Sequence, residues 1–311
     1  MMRISTGWSY LRLAQQMARQ ERELYSLQIQ ISTGKRVNRP SDDPVATGQI
    51  LGARATKADL AQQQKIILGG HMLLRGADSA LGEICSSMER TRDLLLRAST
   101  DSLSPQALEG VAVEIEGIRA GVFALGNENV GGRYIFGGRL DQGPPLEATG
   151  DTAHPVAYGG DSAECRYRVG KDATVRVTTP GDRIFNFEDA TGERAVDGVD
   201  EDLFTCLAGA EQAARAGDKQ ALGKCLADVD AFLNHLLLAR GSVGADDQRL
   251  GVLEGLAQDG EVRLTEALSA LEDCDLAVAV TRLTLLQVIY EATLGVAAKA
   301  AALPSLAELG W

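Results

Sequence analysis

The sequence predicts a mainly α protein, a bundle of long helices made from both chain ends with a small β-rich insert domain between them. Three observations carry that prediction. Apolar residues recur at alternating steps of three and four at both ends, the stretches 45–104 and 244–303 contain no proline, and glycine, proline and short β-prone runs crowd between 127 and 202. At the front the stripe reads Leu13, Met17, Gln20, Leu24, Leu27 and Ile31. At the back it reads Leu264, Ala267, Leu271, Cys274, Val278, Thr281, Leu285, Val288 and Ala292. Such a period keeps one side of a helix against a partner helix, supplied by the chain's own other end or by a neighbouring copy.

Taken in order, a first helix from Thr6 to Ser32 stops at Thr33-Gly34, where glycine accepts the left-handed terminal conformation. A polar connector with two prolines follows. Asp43-Pro44 then starts a very long helix, the carboxylate capping free N–H groups and proline occupying the first turn. Gly69-Gly70 is its weakest point. Ser104-Pro105 repeats the start signal for a helix with Leu108, Val111, Ile115, Ile118, Val122 and Leu125 on one side. After Asn127, strands are expected around 133–136, at Pro155 to Tyr158, Cys165 to Val169 and Ala173 to Thr178. Helices resume from Leu203 to Ala216, closed by Gly217, and from Asp218 to Arg240; a last element from Gly244 would reach roughly 90 Å if unbroken, at about 1.5 Å per residue. The expected division is 1–40 with 264–311 as paired terminal helices, 41–138 with 200–263 as a helical bundle, and 139–199 as a peripheral insert whose removal spares the helices.

Composition narrows the function. A length of 311 residues exceeds one typical core, and 45% apolar with only 5% aromatic residues suits long helices rich in Ala and Leu. The net charge of −12 argues against nucleic acid, whose phosphates demand clustered cations. Residues 1–100 carry 14 Lys and Arg against nine Asp and Glu, so the acidic excess lies in the remainder, an asymmetry available for recognition between copies besides solvation. No uninterrupted apolar run approaches the roughly 20 residues that cross a bilayer, so no membrane partner is expected. The opening MMRISTGWSYLRLAQQMARQ lacks the pattern of a cleavable secretory signal.

Chemical motifs give no constellation for an enzyme. The three histidines, His71, His154 and His235, lie far apart without an HxxxH or HExxH partner and read as surface or helix-face residues. There is no GxxxxGK[ST] loop and no GxSxG elbow, so no cofactor, metal or catalytic residue is expected. Asp42-Asp43 reads as a cap, and Asp273 and Asp275 as residues of a solvated helix face. Five cysteines without a CxxC pair cannot close a disulfide set, and four sit in helical patterns as small hydrophobes.

The segment IleSerThrGlyLysArgValAsnArgProSerAspAspPro, 31–44, resembles the one that ends the first helix of flagellin-type proteins. LeuGluAspCysAspLeuAla, 271–277, with the helix from Gln287 to Ala300, resembles their C-terminal segment. Glu114-Ile115-Glu116, Leu125-Gly126-Asn127, Gly132 to Gly138 and Arg240 to Ala245 are similar to the hook-associated protein 3 family, and the Phe-Asn-Gly turn usual in flagellins is absent. The resemblance spans nearly the whole chain except 139–199. Five cysteines and the ending Gly310-Trp311 depart from it.

The resemblance implies a flagellin-like fold and a structural subunit between hook and filament, exported unfolded without a cleavable signal to an extracellular place on the bacterial flagellum. It further implies a homo-oligomeric ring of this chain with itself, with hook-associated protein 1 on the hook side, flagellin on the filament side, and an export chaperone. The assembly interface is expected at Leu13, Met17, Leu24, Leu27, Ile31, Leu264, Leu271, Val278, Leu285, Val288 and Ala292, with the terminal pair lining a tube and loose until copies assemble. A filament-forming flagellin is the alternative, and a cytosolic coiled-coil adaptor a more distant one.

Overall fold

The computed structural model describes residues 3–100, 103–140, 142–151, 154–170, 173–188, 192–196 and 198–302. The ending that includes Gly310-Trp311 lies outside them. The described residues form seven helices: α1 (Arg3–Thr33), α2 (Pro44–Thr100), α3 (Pro105–Gly126), α4 (Gly181–Phe185), α5 (Leu203–Ala216), α6 (Lys219–Glu272) and α7 (Leu276–Ala302). Three antiparallel hairpins complete them, pairing β1 (Asn129–Val130) with β2 (Arg133–Tyr134), β3 (Leu146–Ala148) with β4 (Val156–Tyr158), and β5 (Arg166–Val169) with β6 (Ala173–Arg176). The mainly helical expectation is met. The chain divides into two compact units, one of residues 1–59 with 259–311 and one of residues 60–258.

Local signals act where the sequence places them. Asp43 Oδ1 accepts from the Ala46 N–H at 2.9 Å, and Ser104 caps α3 through the Ala107 N–H. Asp202 caps α5 through the Phe204 and Thr205 N–H groups, Gly217 closes it in the left-handed region, and Asp218 restarts the chain by capping Gln220 and Ala221. Gly131 and Gly132, at φ 63° and 87°, form the two-residue turn between β1 and β2, a geometry in which a side chain is strained.

Three expectations about helix breaks are corrected. α2 runs unbroken through Gly69-Gly70; a Cβ on Gly70 would lie 2.7 Å from a Leu250 methyl, so glycine lets α6 approach closely. The break expected between Arg240 and Gly244 is absent, and α6 runs through it, held there by Arg240 pairing with Asp78 at 2.8 Å and the buried Val243. The break falls instead at Asp273–Asp275, where neither proline nor glycine marks it. Here tertiary hydrogen bonds replace helical ones, so Asp273 and Asp275 do not sit on a helix face and Cys274 lies between helices.

The 60–258 unit is organised around aromatic rings from separate segments. Phe204 of α5 meets Phe123 of α3 at 6.3 Å, Phe185 of α4 at 5.4 Å and Phe187 at 6.2 Å between centroids, while Phe136 meets Phe185 edge-on at 5.6 Å. Leu146, Val156, Val169 and Val175 of the hairpins are buried in the same cluster as Leu81, Ile84 and Met88 of α2 and Phe232 of α6. The hairpins of the insert therefore contribute to this core. Across α3 and α5, Arg119 reaches Glu211 at 3.2 Å and Arg215 reaches Glu116 at 3.2 Å. His71 lies on α2 and is buried, with Nδ1 2.5 Å from Asp247 and Nε2 3.5 Å from Glu254; facing carboxylates on α6 make burial of its ring tolerable.

Candidate assembly face

In the terminal unit α1 and α7 pack together, and their direction is antiparallel because Lys35 bridges to Asp273 at one end while Glu23 meets Arg282 at 3.2 Å further along. The front stripe is the inward one. Leu13, Met17, Gln20, Leu24 and Ile31 are half-buried and Leu27 is buried, whereas Leu11 and Tyr25 beside them are exposed. Within that stripe the Gln20 side-chain oxygen is buried and has no hydrogen-bond partner among the described residues.

The back stripe splits. Leu264 and Leu271, on α6, are half-buried, and Ala267 is exposed. On α7 the inward positions are Ala279, Leu283, Leu286, Tyr290, Thr293 and Ala297, again at steps of three and four. Val278, Leu285 and Val288 stand 62%, 60% and 63% exposed, and Ala292 is exposed as well. α7 thus carries two apolar faces, one covered by α1 and one bare. Leu276, Val280, Ile289, Leu294 and Val296 extend the bare side, and the heptad pattern missed them because apolar residues surround the whole helix.

The apolarity of α7 also corrects the expectation about bilayer-length segments. Leu276–Lys299, 24 residues at a mean hydropathy of 1.3, is long and apolar enough by length and composition to cross a membrane. Arg282 and Glu291 interrupt any continuous run, which hid the segment from that reading. One side of the segment packs against α1, and Arg282 within it pairs with Glu23 at 3.2 Å.

The two connectors of the unit are knotted together. The Arg36 N–H donates to the Glu272 carbonyl at 2.6 Å, the Cys274 N–H to the Gly34 carbonyl at 2.8 Å, and the Arg36 guanidinium to the Leu271 carbonyl at 3.0 Å. The buried Glu272 carboxylate takes Arg54 and Lys35, each at 2.7 Å, and these cations hold it below the usual carboxylate range. Asp275 then caps α7 through the Ala277 and Val278 N–H groups. Spacing alone gave no role to Lys35, Arg54 or Glu272. These contacts fix where α7 begins and where α1 ends, which sets the register of the pair. Among the described residues no group of three or more His, Cys, Asp or Glu could hold a metal ion.

Comparisons with known proteins agree with this architecture. A model of the bacterial flagellin N-terminal helical region matches residues 4–139. The chain is 27% identical over 288 residues to flagellar hook-associated protein 3 of Salmonella typhimurium, covering 88% of this chain and 89% of the relative. Among solved structures, flagellar hook-associated protein-3 from Legionella pneumophila superposes with a TM-score of 0.62 at 15% identity, covering 71% of this chain and 98% of that one. The flagellar junction protein FlgL from Legionella pneumophila does so with a TM-score of 0.58 at 16% identity, covering 74% and 100%. The chain is thus similar in sequence to flagellar hook-associated protein 3 over most of its length, shares its fold, and carries a flagellin-type N-terminal helical region.

Proposed function

We propose that this chain is a structural subunit of the bacterial flagellum, forming the junction between hook and filament by self-assembly of its terminal helices. The observation that carries the reading is the bare apolar face of α7. Val278, Leu285 and Val288 remain exposed after α1 has covered the opposite side. Burying each against a neighbour contributes about 1.5 to 3 kcal/mol. An exposed apolar strip of this length marks an interaction surface, because a chain that works alone has no use for it. The relatives it matches are flagellar proteins, and the chain's role is structural, not enzymatic.

In this reading copies of the chain form a ring through Leu13, Met17, Leu24, Leu27, Ile31, Leu264, Leu271, Val278, Leu285, Val288 and Ala292. The first seven order each copy's own terminal unit, and the last four meet neighbours. Hook-associated protein 1 adjoins the ring on the hook side and flagellin on the filament side, and an export chaperone covers the apolar strip before secretion without a cleavable signal. The terminal segments 1–40 and 264–311 serve assembly, and the rest of the chain is the supporting body.

Adding purified chain to isolated hook ends and to filament fragments tests the reading. A limited layer at hook ends is expected. Indefinite extension of filament fragments would instead establish the flagellin alternative.

A further inference from the structure

We propose that the groove between α2 and β5, rimmed by Lys65, Arg166 and Arg168, seats the acidic edge of a second copy of this chain, formed by Asp200, Glu201 and Asp228. The inference rests on the reading that copies adjoin one another, and adds which surfaces of the 60–258 unit meet. The groove encloses about 440 Å³ over a floor of Ile66, Gly69 and the Tyr167 ring. Arg133 steadies that floor, donating to the Tyr167 hydroxyl at 2.6 Å with its guanidinium 6.0 Å from the ring centre. Arg166 is shared with Glu164 at 2.8 Å. Lys65 and Arg168 are exposed, and among the described residues neither has a carboxylate within ion-pair distance. Two uncompensated cations beside an aromatic floor stand out on a chain of net charge −12.

The complementary surface lies elsewhere on the same unit. Asp200 and Glu201 are exposed, and among the described residues no cation pairs with either. Burial pushes the Asp228 carboxyl up, Lys224 beside it acts in the opposite direction and Asp200 adds to the rise, while burial, Asp228 and Glu201 push up the Cys225 thiol against Lys224. Because groove and edge are different patches of one chain, their contact is heterologous: each copy offers its edge to the next copy's groove, the arrangement that closes rings or propagates helically. Charge pairing of this kind sets register and rejects wrong partners more than it supplies affinity.

The test uses the full chain alone, concentrated until it associates, with equal parts of isotopically labelled and unlabelled protein and a zero-length carbodiimide cross-linker. Linked peptides joining Lys65 of one copy to Asp200 or Glu201 of another are expected, fading as salt rises from about 0.05 to about 0.5 M. The double variants Lys65→Glu with Arg168→Glu, and Asp200→Lys with Glu201→Lys, should each weaken self-association about ten-fold or more by sedimentation, at unchanged melting temperature. Combining all four substitutions in one chain should restore it. Reversal variants that associate like the parent, or a four-fold variant no better than either double, overturn the proposal. Failure of the junction reading shows separately, as parent chain that does not add to hook ends.

Discussion

The two units of this chain solve the same packing problem to different degrees. In the 60–258 unit, α2, α3, α5, α6 and three hairpins surround a core in which Phe136, Phe185, Phe204 and Phe232 are fully buried. In the terminal unit α7 is apolar on all sides and α1 covers one of them. A helix that is hydrophobic all round belongs in an interior. The first unit builds that interior from its own residues, and the second exposes half of one. In the proposed assembly neighbouring copies supply what one chain lacks, which would place stability and assembly in separate parts of the chain.

That separation can be broken experimentally from either side, and the largest effect is expected on assembly. Leu285→Asp combined with Val288→Asp removes two exposed apolar contacts worth about 1.5 to 3 kcal/mol each on burial, so addition to hook ends should fall by about 10² to 10⁴-fold. The melting temperature should hold, because neither side chain is packed in the single copy. A drop in melting temperature with normal addition to hooks would reverse the assignment. Phe204→Ala strikes the other unit: it opens a cavity among three aromatic neighbours and should cost about 3 to 5 kcal/mol in denaturant unfolding. For the same reason deletion of 145–185 should unfold the 60–258 unit, since it removes Leu146, Val156, Val169, Val175 and Phe185 from the shared core.

A smaller effect separates the units by pH. Glu272 titrates below its ordinary value of 4.5 in the fold because Arg54 and Lys35 favour its charged form. Its contribution is therefore complete above that ordinary value and is lost as pH falls through the lower folded one. Amide exchange at residues 34–36 and 274 should speed up in acid before the 60–258 core does, and Glu272→Gln should remove this pH dependence. Exchange that accelerates equally in both units would show that the knot does not hold the terminal pair.

The sequence reveals these features unevenly, and the reason is contrast. On α1 the stripe Leu13 to Ile31 stands out because Arg12, Gln15, Gln16, Arg19 and Arg22 surround it, and the structure turns that stripe inward. On α7 nearly every residue is apolar, so a heptad can be drawn through Val278, Leu285 and Val288 as readily as through Ala279, Leu283 and Leu286. Only the knot decides which row faces α1. Capping signals at Asp43, Ser104 and Asp218 were legible because each rests on one side chain and the next turn. The break at Asp273–Asp275 was not, because Lys35, Arg36 and Arg54, more than 200 positions away, create it.

The smallest expected effect lies inside the α1–α7 seam. Gln20 occupies an inward position between Met17 and Leu24, and its side-chain oxygen is buried with no donor among the described residues. A polar group in an otherwise apolar seam lowers stability, and in return it penalises alternative registers and partners. Gln20→Leu should therefore raise protection of α1 amides against exchange by the equivalent of about 1 kcal/mol, leave the melting of the 60–258 unit unchanged, and loosen selectivity. The measurement is the ratio of chain added at hook ends to chain aggregated in solution, which should fall in the variant. If protection drops instead, the Gln20 amide is engaged within the single copy, and the terminal unit is more complete on its own than the comparison holds.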